Sequence, residues 1–427
     1  MSVQTTSVSS DSHSTSYIVR VIAAASIGNA LEWFDLLIYG YFAVTLSRLF
    51  FPSDNDLIAL LLTFGTFAAS YLVRPLGAIF IGAYADRHGR KAALMLSILL
   101  MMIGTAIMTV VPTWSTIGVA APIAVLAARL IQGFSVGGEF GSSTAFMVEH
   151  TTTRKGFLAS WQWSSQGLAA ILASTFGVVL FSALSQDQLQ SWGWRLPFLF
   201  GLLIGPIGLY IRSHLEEAPE FASVQASQTP LRDLLTHQLG RTVLSIGAVI
   251  LSTSANYVIL YMPTYGIKEL GLPQSVGFTA TLMGAVILTV VSPLVGHWSD
   301  KIGRTMIMMT MSVLFAVSAY PTFVGLVNHP SLTTIVLIVG WMSLLKAGYS
   351  GVLPSLMAEI FPTQTRASGL SLSYNIGVPL FGGAAPLYIT ALIGLTGSNL
   401  VPSFYLIVTA LLSLAVLMII RMRLGLR

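Results

Sequence analysis

Apolar residues come in twelve blocks, at 20–46, 57–84, 92–111, 118–142, 157–182, 194–212, 240–264, 275–297, 305–327, 332–357, 367–393 and 399–421. Each is about 20 residues long or more, enough to cross a bilayer as a helix. The connectors alternate between two kinds. FPSDND, VPTWST, SQDQLQSWGW, GLPQS, NHPS and TGSN belong to one side; DRHGRK, EHTTTRKG, SDKIGRT and EIFPTQTR belong to the other. The longest connector, at 213–239, divides the chain into two six-helix bundles, 17–212 and 240–427. The polar, Ser/Thr-rich residues 1–16 lack the basic and apolar regions of a cleavable signal and are expected to form a disordered cytoplasmic tail.

Composition agrees with this pattern. The chain is 54% hydrophobic and 9% charged, where soluble domains carry roughly 25% charged residues. Its mean hydropathy is +0.79. It has no cysteine, which excludes disulfides, thiol chemistry and Cys-based metal sites. The placement of charge fixes the orientation. Of 21 Lys and Arg, Arg48, Arg195 and Lys268 lie on one face and Arg74, Arg129 and Lys346 lie within apolar blocks; the other fifteen fall in the tail, the even-to-odd loops and the C-terminus. By the positive-inside rule both termini are cytoplasmic, which requires an even number of spans. The net charge of +5 thus sits on membrane-flanking loops, and no nucleic-acid partner is expected.

The chain also repeats itself. Gly82, Asp86, Arg87, Gly89, Arg90 and Lys91 after the second block return as Gly296, Asp300, Lys301, Gly303, Arg304 and Thr305 after the eighth. Glu149, Arg154 and Gly156 return as Glu359, Arg366 and Gly369. Two homologous halves of six spans normally place a binding site between them near the midplane.

The loop pattern G-x-x-x-D-[RK]-x-G-R-[RK], complete at 82–91 and altered at Thr305 in its second copy, resembles the signature of the major facilitator superfamily. GNALEWFDLLIYGY, RPLGAIFIGAYADRHGRK, RLIQGFSVGGEFG and IFPTQTRASGLSLSYNIG together resemble its metabolite:proton symporter family. The resemblance implies an all-α membrane protein with twelve transmembrane helices in two pseudo-symmetric halves, the major facilitator fold, and coupling to protons. Cargoes of that family include citrate, tricarballylate, 2-oxoglutarate, shikimate, proline and betaine, so the resemblance does not choose the cargo.

Ionisable side chains at membrane depth are costly and mark a pathway or substrate site by default. Arg129 and Lys346 are two such cations, and cations that share a cavity point to an anionic cargo. The resemblance places Arg129 at the charged, cavity-facing position of the fourth span; a permanent ion pair with Glu32 or Asp35 is the alternative. Its guanidinium is a planar fork suited to carboxylates. Lys346 belongs to no motif of the family and has about fourteen apolar-rich residues before it, so it is assigned to cargo contact ahead of pairing with a buried acid. Gln132 lies one turn from Arg129. Gln162, Gln166, Asn256, Tyr257, Tyr349, Tyr374 and Asn375 could supply further cargo contacts, although each alone is more often an interhelical hydrogen bond.

Glu32 and Asp35 are three apart and share one helical face. Two carboxylates in a low-dielectric site cannot easily stay doubly ionised, so one is expected to carry the coupling proton. The seven histidines fall in the tail, loops or span ends, leaving the proton to carboxylates. Glu139, near the cytoplasmic end, is the third acid considered, with gating as its other reading. Arg74 is assigned to structure or gating, and Asp86, Arg87, Arg90, Asp300 and Arg304 to an interdomain latch on the cytoplasmic face.

The function expected is alternating-access import of a di- or tricarboxylate with protons, citrate or tricarballylate first, in a bacterial inner membrane. Arg129 and Lys346 would clamp carboxylates from opposite halves. The expected partners are the small organic anion, protons and the lipid bilayer; the chain is expected to act as a monomer without metal or cofactor. A non-transporting nutrient sensor is the rival of another class, but it would normally bring a signalling domain or long tail. The metalloprotease motif HExxH is absent from the sequence.

Overall fold

The computed structural model describes residues 15–88, 90–137, 139–149, 153–213, 234 and 236–426. The predicted tail and central loop therefore fall mainly outside the described residues. In hydrocarbon each backbone N–H and C=O needs a partner within the protein, and a helix supplies it locally. All twelve predicted blocks are helical. α1 is Thr15–Tyr41 continued by Ala43–Phe50, α2 is Asp56–Leu72 with Arg74–His88, and α3 is Arg90–Val110. α4 is Ala120–Val136 with Glu139–Glu149, α5 is Lys155–Ala183 and α6 is Arg195–Ser213. The second half has α7 (Leu239–Lys268), α8 (Gln274–Ile302), α9 (Arg304–Asn328), α10 (Leu332–Ser350 with Leu353–Ile360), α11 (Arg366–Val378 with Ala385–Thr396) and α12 (Val401–Leu424).

Among the described residues nine helices are long and apolar enough to cross a membrane by themselves; Met95–Val110 and Ala120–Val136 are shorter apolar helices. The breaks have local causes. α2 is interrupted at Val73, just before Arg74 and Pro75, where proline removes a backbone donor. α11 carries a π-helical turn at Pro379–Gly383 for the same reason.

Packing repeats with an offset of six. α1 packs on α5 and α6, α2 on α4, and α3 on α6; correspondingly α7 packs on α11 and α12, α8 on α10, and α9 on α12. The sequence repeat is thus a structural one. The halves meet chiefly through α5 against α8 and α11 against α2 and α4, with α1 touching α7. α7 is central, with 83% of its apolar stretch buried, whereas α9 is peripheral with 28%. Exposed Leu62, Leu76, Ile79, Phe80, Val317 and Met422 form part of the outer apolar surface that lipid covers.

The helices that carry Arg74 and Arg129 cross at glycines. A Cβ on Gly133 would strike the Ser70 carbonyl oxygen, one on Gly77 that of Phe134, and one on Gly137 that of Arg74. α2 and α4 therefore touch backbone to backbone, the small-residue packing usual in membranes. Gly133→Ala is expected to cost about 1–3 kcal/mol by forcing this crossing apart. A thermal-shift measurement in detergent should show a lower midpoint for Gly133→Ala and none for Gly65→Ala, since Gly65 has open space at its Cβ position.

Candidate functional site

Two polar clusters and one cavity lie in the middle of the bundle. The first cluster is built within the N-terminal half. α1 brings in Asp35, 3% exposed, and α4 brings in Arg129 and Gln132, both fully buried. Arg129 Nη1 stands 3.5 Å from Asp35 Oδ2 and donates to Gln132 Oε1 at 2.7 Å. Gln132 Nε2 in turn donates to Asp35 Oδ2, and Thr105 Oγ1 of α3 donates to Asp35 Oδ1 at 3.1 Å. The guanidinium carbon lies 4.5 Å from the Tyr39 ring centre and 5.6 Å from that of Phe67, so two aromatic faces share the cation with the carboxylate. Arg129 Nε and Nη2 have no hydrogen-bond partner.

The second cluster joins the halves. Arg74 lies 4.0 Å from the Tyr71 ring centre and is electrostatically coupled to Glu32, Tyr257 and Tyr374. The Tyr257 hydroxyl of α7 donates to that of Tyr71 on α2. Tyr374 of α11 stacks on Phe140 of α4 with ring centres 3.6 Å apart.

The cavity lies between α1 and α5 on one side and α7, α8 and α10 on the other, and contains about 360 Å³ of empty space counting its mouth. Lys346, Asn256, Gln166, Tyr41, Thr281 and Ser343 are its polar lining, among Leu37, Ile259, Leu260 and Leu288. Among the described residues no Asp or Glu lines it. Lys346 Nζ donates to Asn256 Oδ1 at 2.5 Å and stands 5.3 Å from the centre of the Trp163 ring. Gln166 is 2% exposed, and neither its Oε1 nor its Nε2 has a hydrogen-bond partner.

The structure redistributes the expected site residues. Asp35 faces Arg129, and Glu32 lies within electrostatic reach of Arg74. Residues three apart differ by about 4.5 Å of rise and 60° of direction, enough to reach different neighbours. Arg129 does not line the Lys346 cavity; it faces Asp35 and Tyr39 of α1 and Phe67 of α2 inside its own half. From the N-terminal half the cavity is faced by Gln166 and Ala170 of α5 and by Leu37 and Tyr41 of α1.

Several other candidates are engaged elsewhere. Gln162 bonds Asn29 at 3.2 Å, the Tyr349 hydroxyl donates to the Ala248 carbonyl at 2.7 Å, and Asn375 donates to the Gly137 carbonyl at 2.6 Å. Asn29, Thr105, Tyr71 and Trp163 are contributors that sequence reasoning passed over. Of these, Asn29 lies inside GNALEWFD and Tyr71 inside AASYLVRPLGAIFIG, the stretch that carries Arg74.

Contacts join the two halves, or neighbouring helices, near each end of the described helices. On the cytoplasmic side Asp300 accepts from the backbone N–H of Gly156 at 2.8 Å and of Phe157 at 3.2 Å, capping α5 from the other half. Arg304 pairs with Asp300 at 3.2 Å and with Glu359. On the opposite side Lys268 of α7 pairs with Asp56 of α2 at 2.5 Å. The side chains of Glu139, Asp86, Arg87 and Arg90 lie outside the described residues.

Two pseudo-symmetric helical halves that pack around a central cavity lined by Lys346 have the architecture of a membrane transporter. The chain belongs to the family described as Sugar (and other) transporter, which it matches over residues 21–232 and 222–422, within the major facilitator superfamily. It is 35% identical to the citrate-proton symporter of Klebsiella pneumoniae, over 93% of this chain and 90% of that one. It is 32% identical to the proline/betaine transporter of Escherichia coli K12, over 92% of this chain and 82% of that one. The solved proton:xylose symporter XylE of E. coli shares the fold, with a TM-score of 0.78 at 16% identity and 96% of each chain covered.

Proposed function

We propose that this chain is a proton-coupled symporter of the bacterial inner membrane that imports a di- or tricarboxylate, citrate or tricarballylate first, by alternating access. The observation that carries the reading is the Lys346 ammonium, buried in a central cavity with no carboxylate in its lining among the described residues. A buried cation without an anion is costly, and a cargo carboxylate offsets that cost. The similarity to a citrate-proton symporter supports the same class.

Protonation of Asp35 releases Arg129 from its ion pair, and the rearranged Arg129–Gln132–Thr105 network loosens α1 against α3 and α4. Glu32 and Glu139 are the other acids that could serve the proton. Cargo on Lys346 draws α10 and α7 toward α5. Opening to one side then breaks the Asp300 cap on α5, and opening to the other breaks the Lys268–Asp56 pair. The similarity to a proline/betaine transporter favours a zwitterionic cargo as the second reading. A zwitterion brings its own cation, for which the cavity offers no carboxylate among the described residues.

Uptake of labelled citrate into proteoliposomes is expected to follow an inward proton gradient, to collapse with a protonophore and to be indifferent to sodium. Undiminished uptake on sodium alone would sink the proton-coupled reading.

A further inference from the structure

We propose that the central cavity is built for a hydroxycarboxylate, whose carboxylate lies on Lys346 and whose hydroxyl lies on the Gln166 amide. The inference rests on the carboxylate reading above and adds the group that the opposite wall recognises.

Lys346 has three N–H donors, and the bond to Asn256 Oδ1 uses one. The ammonium is thereby held in place with two donors left for an anion. Gln166 faces the same space from the other half, with both amide atoms buried and unpartnered. Its neighbour one turn away, Gln162, is bonded to Asn29 and Ser143, so an unsatisfied amide is not the rule on this face of α5. An unmade buried hydrogen bond costs about 1–3 kcal/mol per group.

The chemistry that completes Gln166 is narrow. A methylene completes neither atom. An ionised carboxylate only accepts; it satisfies Nε2 and leaves Oε1 facing a like partial charge. A hydroxyl donates to Oε1 or accepts from Nε2, and a rotation of the side chain lets one bound hydroxyl serve either atom. In the lining, the Thr281 hydroxyl is already engaged: its Oγ1 donates to the Phe278 carbonyl at 3.0 Å and accepts from Ser174 at 3.1 Å. A cargo with a carboxylate and a hydroxyl therefore bridges the halves, carboxylate to the C-terminal half and hydroxyl to the N-terminal half. A site that hydrogen-bonds a hydroxyl rejects the analogue lacking it, because the site's own polar groups are then left unpaired.

The test uses pairs of acids that differ by one hydroxyl: citrate with tricarballylate, and malate with succinate. Calorimetry on the purified full chain at one fixed pH is expected to show the hydroxy acid binding about 10-fold or more tightly than its partner in at least one pair. Gln166→Leu should narrow that ratio to within about 3-fold, by weakening the hydroxy acid. Lys346→Ala should weaken both members of a pair and leave their ratio standing. Equal affinity within both pairs for the wild type overturns the hydroxyl assignment while leaving the carboxylate reading intact, and it does so whether or not the variants fold. A preference that survives in Gln166→Leu also overturns it. Binding of none of the four acids contradicts the carboxylate reading and the inference together.

Discussion

Asp35→Asn is expected to leave a carrier that binds and exchanges its cargo but no longer accumulates it. Asp35 is the carboxylate that the buried Arg129 faces at 3.5 Å, and it accepts from Gln132 and Thr105. Asparagine keeps the shape and an acceptor oxygen while removing the charge, so it imitates the protonated state permanently. The two aromatic faces of Tyr39 and Phe67 already share the guanidinium, which lets the fold survive loss of its counter-ion. A proton carried down a gradient of one pH unit supplies about 1.4 kcal/mol. That supports roughly a tenfold concentration ratio across the membrane for each proton coupled. The wild type should approach such accumulation, whereas Asp35→Asn should only equalise labelled citrate while retaining counterflow. Normal accumulation in the variant moves the coupling proton to Glu32, coupled to Arg74, or to Glu139.

Lys346→Ala should weaken citrate binding by roughly 30-fold or more, since removing one partner of a buried charged contact costs about 2–5 kcal/mol. The loss has two parts. The ammonium no longer meets the cargo, and Asn256 Oδ1 is left without its donor. Lys346→Arg should do partial damage, because a planar fork reaches differently from a point charge and must fit between Asn256 and the Trp163 ring. A monocarboxylate should suffer less than citrate, having fewer carboxylates that need a cation. Calorimetry on the wild type and both variants, with citrate and one monocarboxylate, reads all of these. Unchanged citrate affinity in Lys346→Ala removes the main support for an anionic cargo.

The architecture was legible because hydrophobic blocks, connector charge and the 82–91 repeat each report on a property that survives without tertiary detail. Block length sets the span, loop lysines and arginines set the side, and the repeat sets the two-fold division. The offset of six in the helix contacts is the three-dimensional form of that repeat. Arg129 and Lys346 stood out for a related reason: a charge inside an apolar block is visible one residue at a time. What a charge faces is not. Whether Arg129 and Lys346 share a cavity depends on helix rotation and on which helix lies in front of another, and sequence spacing carries neither. α4 turns Arg129 toward Tyr39, Phe67 and Asp35, while α5 presents Gln166 to Lys346. Thr105 was equally hidden, since a threonine in an apolar helix usually bonds its own backbone, as Thr105 also does to the Met101 carbonyl at 3.0 Å. The glycine crossing of α2 and α4 explains why three glycines flank the two arginines, a relation that emerges only once the helices are placed side by side.

Proton-coupled carboxylate symport is tested most directly by proton uptake into proteoliposomes of the purified wild type, with a pH-sensitive dye sealed inside and no ion gradient imposed. External citrate should acidify the lumen at once, Asp35→Asn should remove that acidification, and the same concentration of betaine should produce none. Acidification by betaine but not by citrate, or citrate entry without any movement of protons, would contradict the account.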